Sequence, residues 1–362
     1  MIKVVHALGG TLQGGVFNMV FNFNKSLSKE VCFVYLVMKD NVKKDIIAEI
    51  EKNGGEVVIL PNFRNFLSYI IFLYIFYKKN CKNIDVVHVH NPNIGLFDFV
   101  FARIFKIKIR VLHSHSDKFS RKYFNSLLNK CVNNLLNFFS TNRLACSKNA
   151  GLAKFKSQER FDILLNGIDL EKYRFSERER KDFKSNLNLH DKIIIGHVGA
   201  FISIKNHVFI IEVFRKLCLL SERYHLILVG DGELRHNIET KVKDYGLEGR
   251  VLFLGQRNDV EKILNIFDYF LFPSLFEGLG IGLIEAQALG VNCFASNNIP
   301  KETNITDLIV YLDLNVQTWV DAIITTQPVL LTNRPIYNKI LQQTNFNVIN
   351  SSKQLLMIYK GD

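Results

Sequence analysis

Short apolar runs alternate with longer amphipathic stretches along most of the chain. The runs are rich in β-branched residues and end at glycine or polar turns, which predicts buried parallel strands. In the first half these strands are Ile2–Leu8, Val31–Met38, Val57–Leu60, Ile84–His90, Ile109–His113 and Arg143–Cys146. The predicted helices between them are Gly14–Leu27, Asn41–Asn53, Phe63–Lys79, Gly95–Phe105 and Ser120–Phe139. This alternation indicates βαβ units and a doubly wound sheet.

The alternation breaks after the turn Leu165–Asp169 and resumes beyond the charged stretch Ser176–Asp191. The second half predicts strands at Ile193–Val198, His225–Val229, Val251–Leu254, Tyr269–Phe272 and Asn292–Ala295. Its predicted helices are His207–Leu220, Leu234–Tyr245, Asp259–Asn265 and one that opens after Gly282. A second doubly wound sheet is therefore expected.

The expected fold class is α/β, with two Rossmann-like domains in series. We place them at residues 1–172 and 191–340, joined by a linker at 173–190, with a helix at 341–362 that packs back across the linker. Ligands of such sheets bind beyond the carboxyl ends of the strands. The site is therefore expected in a cleft between the two domains.

Composition indicates a globular protein. Of the 362 residues, 48% are hydrophobic and 22% are charged. Met1–Leu8 lacks the features of a secretory signal, and the longest apolar run, Phe66–Tyr77, is shorter than the roughly 20 residues that span a bilayer. The six cysteines lie far apart without C-x-x-C spacing. We therefore expect reduced thiols and a cytoplasmic location, which the membrane contact considered below would make peripheral on the inner face of the plasma membrane.

The net charge of +12 favours a polyanionic partner. Between positions 103 and 130 the only acid is Asp117, and the basic residues are Arg103, Lys106, Lys108, Arg110, Lys118, Arg121, Lys122 and Lys130. The aromatic stretch Asn62–Lys82 has two interpretations: a helix of the N-terminal core, or a contact with an anionic membrane surface shared with the basic run. A nucleic-acid-binding protein is the non-enzymatic alternative, but the chain has no nucleic-acid motif, and we expect no such partner.

A glycine-rich turn follows the strand Tyr269–Phe272 and opens a helix that stops at Gly290. Such a turn exposes unpaired N–H groups and the positive end of a helix dipole, which predicts an anion site. Glu277 and Glu285 bracket the turn. Because acids repel phosphate, these two are expected to accept hydrogen bonds from sugar hydroxyls. An ordinary strand-turn-helix unit that binds no ligand explains the spacing of Glu277 and Glu285 equally well.

Seven motifs occur in order from about residue 2 to residue 315. They are Gly14-Gly15, Asp85–His90, Arg110–His115, Leu165–Asp169, His197–Phe201 with Lys205–His207, Val229–Glu233, and Glu277 with Glu285. Together they resemble the retaining GT-B glycosyltransferases of family 4, and in particular the bacterial exopolysaccharide, capsule and O-antigen branch. The resemblance implies transfer of a hexose from a nucleotide diphosphate sugar, expected to be a UDP-sugar, to a growing lipid-linked saccharide.

The resemblance also implies roles for the donor half of the site. Glu285 would hold the ribose hydroxyls, and Glu277 would lie beside the donor sugar. The diphosphate would meet the backbone N–H groups of Gly278, Leu279 and Gly280.

Further roles follow from the same resemblance. Lys205 would neutralise the departing diphosphate, and Gly14 and Gly15 would let their loop approach donor phosphate and acceptor. His115 would line the cleft near the transferred sugar, with His113 as the alternative. The expected catalytic residues are thus Glu277, Lys205 and His115.

The chain departs from the family pattern after Gly199. The family has an arginine there that pairs with the lysine on the diphosphate, and this chain has Ala200. A lost charge-assisted contact costs about 1.5–3 kcal/mol. Arg257, on the next strand-end loop, is the candidate to compensate and joins Gly199 in the expected donor set. Without compensation the enzyme would be slow or inactive.

No metal ion and no cofactor are expected. Lysine and the helix start supply the positive charge at the diphosphate, and no Asp-x-Asp pair stands at a strand end. His88, His90, His113 and His115 are interpreted mainly as structural, since no cysteine or carboxylate joins them at ligand spacing. A sugar-nucleotide epimerase or hydrolase on the same fold is the alternative enzyme.

Overall fold

The computed structural model of the protein describes residues 1–10, 12, 14–38, 44–62, 64–115, 132–157 and 160–361. Its contacts form two compact units, one made of Met1–Ile168 with Asn345–Asp362 and the other of Asp169–Thr344. Most of the predicted helix Ser120–Phe139 lies outside the described residues. Lys118, Arg121, Lys122 and Lys130 of the basic run do so as well.

The first unit contains a parallel sheet with strand order β3-β2-β1-β4-β5-β6-β7. Its strands are β1 Ile2–Gly10, β2 Val31–Met38, β3 Glu56–Leu60, β4 Val86–Val89, β5 Ile109–Ser114, β6 Asn142–Ala145 and β7 Asp162–Ile163. Its helices up to the second unit are α1 Gly15–Leu27, α2 Lys44–Lys52, α3 Phe66–Asn80, α4 Pro92–Ile104, α5 at 132–139, and α6 Lys148–Phe155. The strand order reverses between β1 and β4, where α/β sheets bind ligands.

Strand β1 is covered on both of its faces. Val4 and Val5 are both fully buried, and they belong to different core layers. Val4 packs with Phe17 of α1, whereas Val5 packs with Leu73 of α3 and Phe99 of α4. A strand buried on both sides needs a nearly continuous apolar run, which is why this stretch predicted a parallel sheet.

The second unit contains a parallel sheet with strand order β10-β9-β8-β11-β12-β13. Its strands are β8 Ile193–Val198, β9 Tyr224–Val229, β10 Val251–Phe253, β11 Tyr269–Phe272, β12 Asn292–Ser296 and β13 Ile309–Leu312. Its helices are α7 Glu177–Asn186, α8 His207–Leu220, α9 Arg235–Asp244, α10 Val260–Asn265, α11 Ile281–Ala288, α12 Val316–Thr325 and α13 Arg334–Gln342. The order reverses between β8 and β11, and both strands lead into predicted site residues.

The predicted fold class is confirmed, since each unit carries a doubly wound parallel sheet. Strand β13 and the helices α12 and α13 were not predicted. The residues of β13 are all only partly buried, so they lack the strong apolar run that marks the central strands.

Residues 173–190, expected as a linker, lie inside the second unit. Helix α7 is anchored there by Arg180, whose guanidinium donates to the carbonyl oxygens of Asn265 and Phe267 at 3.0 and 3.3 Å. It also forms an ion pair with Asp268. The second unit thus begins earlier than predicted. A charged stretch in a sequence suggests an exposed linker, but this arginine is buried among carbonyl and carboxylate oxygens.

The last helix, α14 (Val348–Lys360), returns to the first unit. It packs on α1, and Leu355 and Tyr359 enter the same core layer as Val4. Backbone hydrogen bonds of 2.8 and 3.0 Å join Ile168 to Phe346 and Val348. The chain therefore passes from one unit to the other twice. Within the described ranges, every helix is too short or too polar to cross a membrane.

Candidate active site

The glycine turn connects β11 to α11. Gly280 caps the helix with φ +97°, a left-handed conformation that strains any residue with a Cβ atom. Leu279 beside it is buried. As a glycine, the N-cap residue Gly280 has no side chain to cap the helix start. The first N–H groups of α11 and the positive end of its dipole are therefore suited to an anion.

Lys205 and Glu277 form an ion pair beside this turn. The distance from Lys205 Nζ to Glu277 Oε1 is 2.6 Å, and the side chains are 20% and 16% exposed. Lys205 ends a 3₁₀ turn after β8, and this turn is tied to the end of β11 by a hydrogen bond of 2.8 Å from Leu275 N to Ile204 O. The fold thus brings together two of the three predicted catalytic residues.

Glu285 has a partner that the sequence did not suggest. The hydroxyl of Tyr173 donates a hydrogen bond of 2.7 Å to its Oε1 atom. Burial raises the pKa of Glu285 to about 7, although the hydrogen bond from Tyr173 acts in the opposite direction. Burial also raises the pKa of Tyr173 well above its usual range. The only signal for Tyr173 was an aromatic residue four positions after the turn that ends at Asp169.

Close backbone packing explains Gly199. A Cβ atom on Gly199 would lie 2.8 Å from His197 Nε2 and 3.4 Å from side-chain carbons of Lys205. Its carbonyl oxygen in turn lies 2.1 Å from the place of a Cβ atom on Gly230, whose φ is +133°. Glycine at these strand ends therefore leaves room for the loop that carries Lys205. Ala200, which stands where the family has arginine, is exposed.

Arg257, the candidate to compensate for Ala200, already has a carboxylate partner. Its Nε and Nη2 atoms donate to the two oxygens of Asp259 at 2.8 and 2.7 Å. This pair lowers the pKa of Asp259. The guanidinium would have to leave Asp259 before it could bind a diphosphate.

In the first unit, Gly14 and Gly15 begin helix α1. Gly14 has φ +87°, which explains glycine there, whereas Gly15 has no such constraint. Apart from its two chain neighbours, a Cβ atom on either residue would meet no atom of the described residues within 4 Å. Packing therefore does not account for Gly15.

His115, which is partly buried, belongs to a cluster with four buried histidines, His6, His88, His90 and His113, from three adjacent strands and the residues that follow them. Burial lowers the pKa of His115 and of His6 to about 3, and it lowers the pKa values of the other three well below the usual range. All five are thus neutral near pH 7. His6 was not predicted as part of this cluster, because a single histidine in an apolar strand gives no signal that distinguishes it from a core residue.

The same cluster contains the residues that could hold a metal. His6, His88 and His90 bring three ring nitrogens within 4.8 Å of one another, and so do His90, His113 and His115. Imidazole nitrogens suit zinc and other transition metals. Several of these nitrogens instead lie at hydrogen-bond distance from a neighbouring ring. The expectation that the enzyme needs no metal stays a prediction.

Comparison with known proteins identifies the family. The family model described as glycosyl transferases group 1 matches residues 178–309. The glycosyltransferase EpsF of Bacillus subtilis (strain 168) is 30% identical over 99% of this chain and 96% of its own length. The chain belongs to the group 1 glycosyltransferases. The family inferred from the seven motifs is thereby confirmed.

Two further comparisons bear on this glycosyltransferase. An Escherichia coli relative, named UDP-Gal:alpha-D-GlcNAc-diphosphoundecaprenol alpha-1,3-galactosyltransferase, is 24% identical over 99% of this chain and 96% of its own length. The crystal structure of Anabaena Alr3699/HepE in complex with UDP-glucose has a TM-score of 0.82 at 18% identity, with full coverage of both chains. At that identity the likeness shows the fold alone, and the fold is GT-B.

The residues matched by the family model include Lys205, Glu277 and Glu285. His115 and Gly15 lie outside the match. The roles assigned to individual residues remain predictions.

Proposed function

We propose that this glycosyltransferase moves a hexose from a UDP-sugar to a growing lipid-linked saccharide, with retention of configuration and without a metal ion. The product would be a bacterial surface polysaccharide. The observation that carries the proposal is the ion pair of Lys205 and Glu277, 2.6 Å long, beside the start of α11.

Binding of the donor would rearrange this pair. A diphosphate at the start of α11 carries two negative charges and competes with Glu277 for the ammonium of Lys205. Once Lys205 turns to the diphosphate, the carboxylate of Glu277 is released and accepts hydrogen bonds from hydroxyls of the donor sugar. The pair therefore holds the Glu277 side chain in place until the donor arrives.

The ribose would bind to Glu285, whose carboxylate can accept hydrogen bonds from two neighbouring hydroxyls. This requires the charged form. Burial opposes that form, and the hydroxyl of Tyr173 favours it by donating to Oε1. Tyr173 is thus part of the proposed nucleotide site.

The reaction forms a bond between the acceptor oxygen and C1 of the sugar and breaks the bond from C1 to the diphosphate. In the retaining mechanism implied by the family, both events occur on the same face, and the acceptor proton passes to the leaving phosphate. Lys205 and the N–H groups of α11 stabilise the charge that develops there. No protein base is needed, which suits His115, whose pKa burial lowers to about 3.

The names of two similar proteins support the proposed classes of donor and acceptor. The E. coli relative is named for UDP-Gal and for an acceptor carried on diphosphoundecaprenol. The Anabaena protein binds UDP-glucose in its crystal structure. We assign the acceptor to the first unit, where no atom of the described residues, apart from chain neighbours, would lie within 4 Å of a Cβ atom on Gly14 or Gly15.

A lipid-linked acceptor requires access to a membrane, and α3 offers a surface for it. One face of α3 is buried through Tyr69, Leu73 and Tyr77, as the core interpretation expected. The opposite face and the turn after the helix expose apolar side chains next to exposed cations, namely Leu67, Ile71, Ile75, Lys78, Lys79 and Lys82. Arg110 does not join them, because it is buried and donates to backbone carbonyls. We propose that α3 docks on the anionic inner face of the plasma membrane.

Product analysis tests the reaction. The protein, stripped with EDTA, is incubated with UDP-galactose or UDP-glucose, with and without GlcNAc-diphosphoundecaprenol, and the products are resolved by NMR. We expect an α-linked disaccharide on the lipid, formed at the same rate with EDTA present. Release of free hexose or formation of an epimerised UDP-sugar without acceptor would instead indicate a hydrolase or an epimerase.

Sedimentation with liposomes tests the docking surface. We expect binding to vesicles containing phosphatidylglycerol, weakened by salt and by the double substitution Leu67→Glu and Ile71→Glu. Ile336→Glu is the matched control, since Ile336 is an exposed apolar residue of α13 in the second unit. Equal binding of both variants, or no binding at low salt, would refute the docking site.

A further inference from the structure

A pocket lined by cations lies in the first unit, between the ends of α5 and α6 and the start of β6. Its volume is about 380 Å³. The charged side chains among the described residues that line it are all basic, namely Arg143, Lys154, Lys156 and Arg160. We propose that this pocket binds a phosphate ester, which is either a soluble molecule or the headgroup of an anionic lipid. The site is independent of the proposed transfer reaction.

The pocket lies at the edge of the sheet opposite to the predicted reaction site. Strand β6 begins one residue before Arg143, and α6 follows its carboxyl end. In a parallel sheet such a helix carries the chain back to the amino edge. The end of α6, with Lys154 and Lys156, therefore meets the start of β6 at that edge. His115 instead follows the carboxyl end of β5, so a ligand in the pocket would not occupy the place expected for the acceptor.

Helix capping accounts for only part of this positive charge. Nη2 of Arg143 donates a hydrogen bond of 2.8 Å to the carbonyl oxygen of Asn137 near the end of α5. Each helix end carries the equivalent of about half a negative charge, so the ends of α5 and α6 together balance roughly one cation. The basic side chains of the pocket therefore leave an excess of about three positive charges. Such an excess attracts anions.

Hydrogen bonds between α5 and α6 hold the walls of the pocket together. The carbonyl oxygen of Lys154 accepts from Nδ2 of Asn133 at 2.9 Å and from Nδ2 of Asn137 at 3.4 Å. Burial lowers the pKa of the Lys154 ammonium to about 8, because withdrawal from water disfavours its charged form. An anion beside the ammonium would offset this cost. The pocket is thus formed before a ligand arrives, and it is stabilised by a negative one.

The lining favours a phosphate ester over a simple carboxylate. A phosphate group offers more oxygens and more negative charge than a carboxylate, and the guanidinium groups of Arg143 and Arg160 can bind its oxygens in pairs. Phe138 also lines the pocket and is 81% exposed, so its ring is available to the carbon part of an ester. Small-molecule sites have volumes of roughly 300–1,000 Å³, and this pocket has room for a phosphate with a group such as glycerol.

Isothermal titration calorimetry of the whole chain with glycerol 1-phosphate at low salt tests the site. We expect saturable binding by the wild type, weakened at least tenfold by the double substitution Lys156→Gln and Arg160→Gln. Both residues are exposed, so the substitutions remove charge without opening the core, and circular dichroism verifies the fold. No saturable binding by the wild type, or equal affinity of the double variant, would overturn the proposal.

The double substitution Lys29→Gln and Lys52→Gln is the matched control. Both lysines are exposed in the same unit, and Lys52 lies in the last turn of α2, much as Lys156 follows the last turn of α6. The control removes the same number of charges and should keep the affinity within twofold of the wild type. An equal loss in both double variants would also overturn the proposal, because the net charge of the protein would then attract the phosphate.

Sedimentation with vesicles that contain phosphatidylglycerol distinguishes the two sources of the phosphate. If the variant of Lys156 and Arg160 sediments less than the control variant, the pocket takes a lipid headgroup. If the two variants sediment equally but only the first loses affinity for glycerol 1-phosphate, the pocket takes a soluble phosphate ester. The substitutions Leu67→Glu and Ile71→Glu leave all residues of the pocket unchanged, so the effects of α3 and of the pocket can be separated.

Discussion

The hydroxyl of Tyr173 lies 2.7 Å from Oε1 of Glu285 and donates a hydrogen bond to it. Burial brings the pKa of this carboxyl to about 7. Small changes around it therefore decide whether it is charged near neutral pH. In the proposed nucleotide site, this makes donor affinity dependent on pH.

Tyr173→Phe should weaken UDP binding in a pH-dependent way. Without the hydroxyl, the pKa of Glu285 rises above 7 and fewer carboxylates are charged at neutral pH. We expect the affinity to fall about fivefold at pH 7 and the deficit to close as the pH rises to 9. Isothermal titration calorimetry with UDP between pH 6 and 9 measures both effects.

Tyr245→Phe is the matched control, because Tyr245 makes the same 2.7 Å bond to Glu212 in the same unit. An affinity deficit in Tyr173→Phe that does not change with pH would show that the hydroxyl acts by another route.

Glu285→Gln should change the pH dependence of stability. The pKa of Glu285 is about 7 in the folded protein and 4.5 as the reference value, so the folded state holds a proton that the unfolded state has released between these values. Wild-type stability therefore falls as the pH rises through this window, and the glutamine variant lacks this loss. The difference in the free energy of unfolding corresponds to on the order of 3 kcal/mol.

Urea unfolding at pH 4.5 and pH 8 measures this difference. Trp319 is the only tryptophan and is fully buried in the second unit, so its fluorescence reports on the unit that contains Glu285. A constant difference between wild type and variant at both pH values would contradict a raised pKa.

Lys205→Ala should lower transfer by about 10²-fold or more, because the cation that stabilises the leaving diphosphate is lost. Lys241→Ala is the matched control, since Lys241 pairs with Glu212 at 2.6 Å in the same unit with similar exposure. Its turnover should stay within twofold of wild type. Steady-state transfer rates of the two variants and the wild type measure this difference. An equal loss of transfer rate in both variants would indicate a general effect on folding.

Ala200→Arg should raise turnover. The substitution restores a charge-assisted contact worth about 1.5–3 kcal/mol, and Arg257 is held by Asp259. We expect kcat/KM for the donor to increase at least tenfold. An unchanged rate in Ala200→Arg, together with a loss in Arg257→Ala, would mean that Arg257 leaves Asp259 and already supplies the contact.

Much of the second unit could be predicted from the sequence, because its strands and site residues are marked by short, local sequence patterns. Lys205 and Glu277 each follow a strand with a clear apolar run, and β8 and β11 are neighbours in the sheet. The carboxyl ends of adjacent parallel strands meet at one edge, so the two side chains had to lie close together.

The missed features depend on burial of polar groups, which a sequence does not reveal. Arg180 seemed to belong to an exposed linker, but it is buried and bonded to carbonyls. His6 and Tyr173 lie at hydrogen-bond distance from partners that are 84 and 112 residues away in the sequence. No periodicity links such pairs.

The return of α14 to the first unit has a consequence for synthesis. Tyr359 packs in the core layer that contains Val4 of β1 and bonds to His88, yet it is translated after the whole of the second unit. The second unit is complete by Thr344 and can fold first, although it begins at Asp169. The first unit to be translated is therefore the last to be finished, and nascent chains that stop before α14 leave it with an open hydrophobic core.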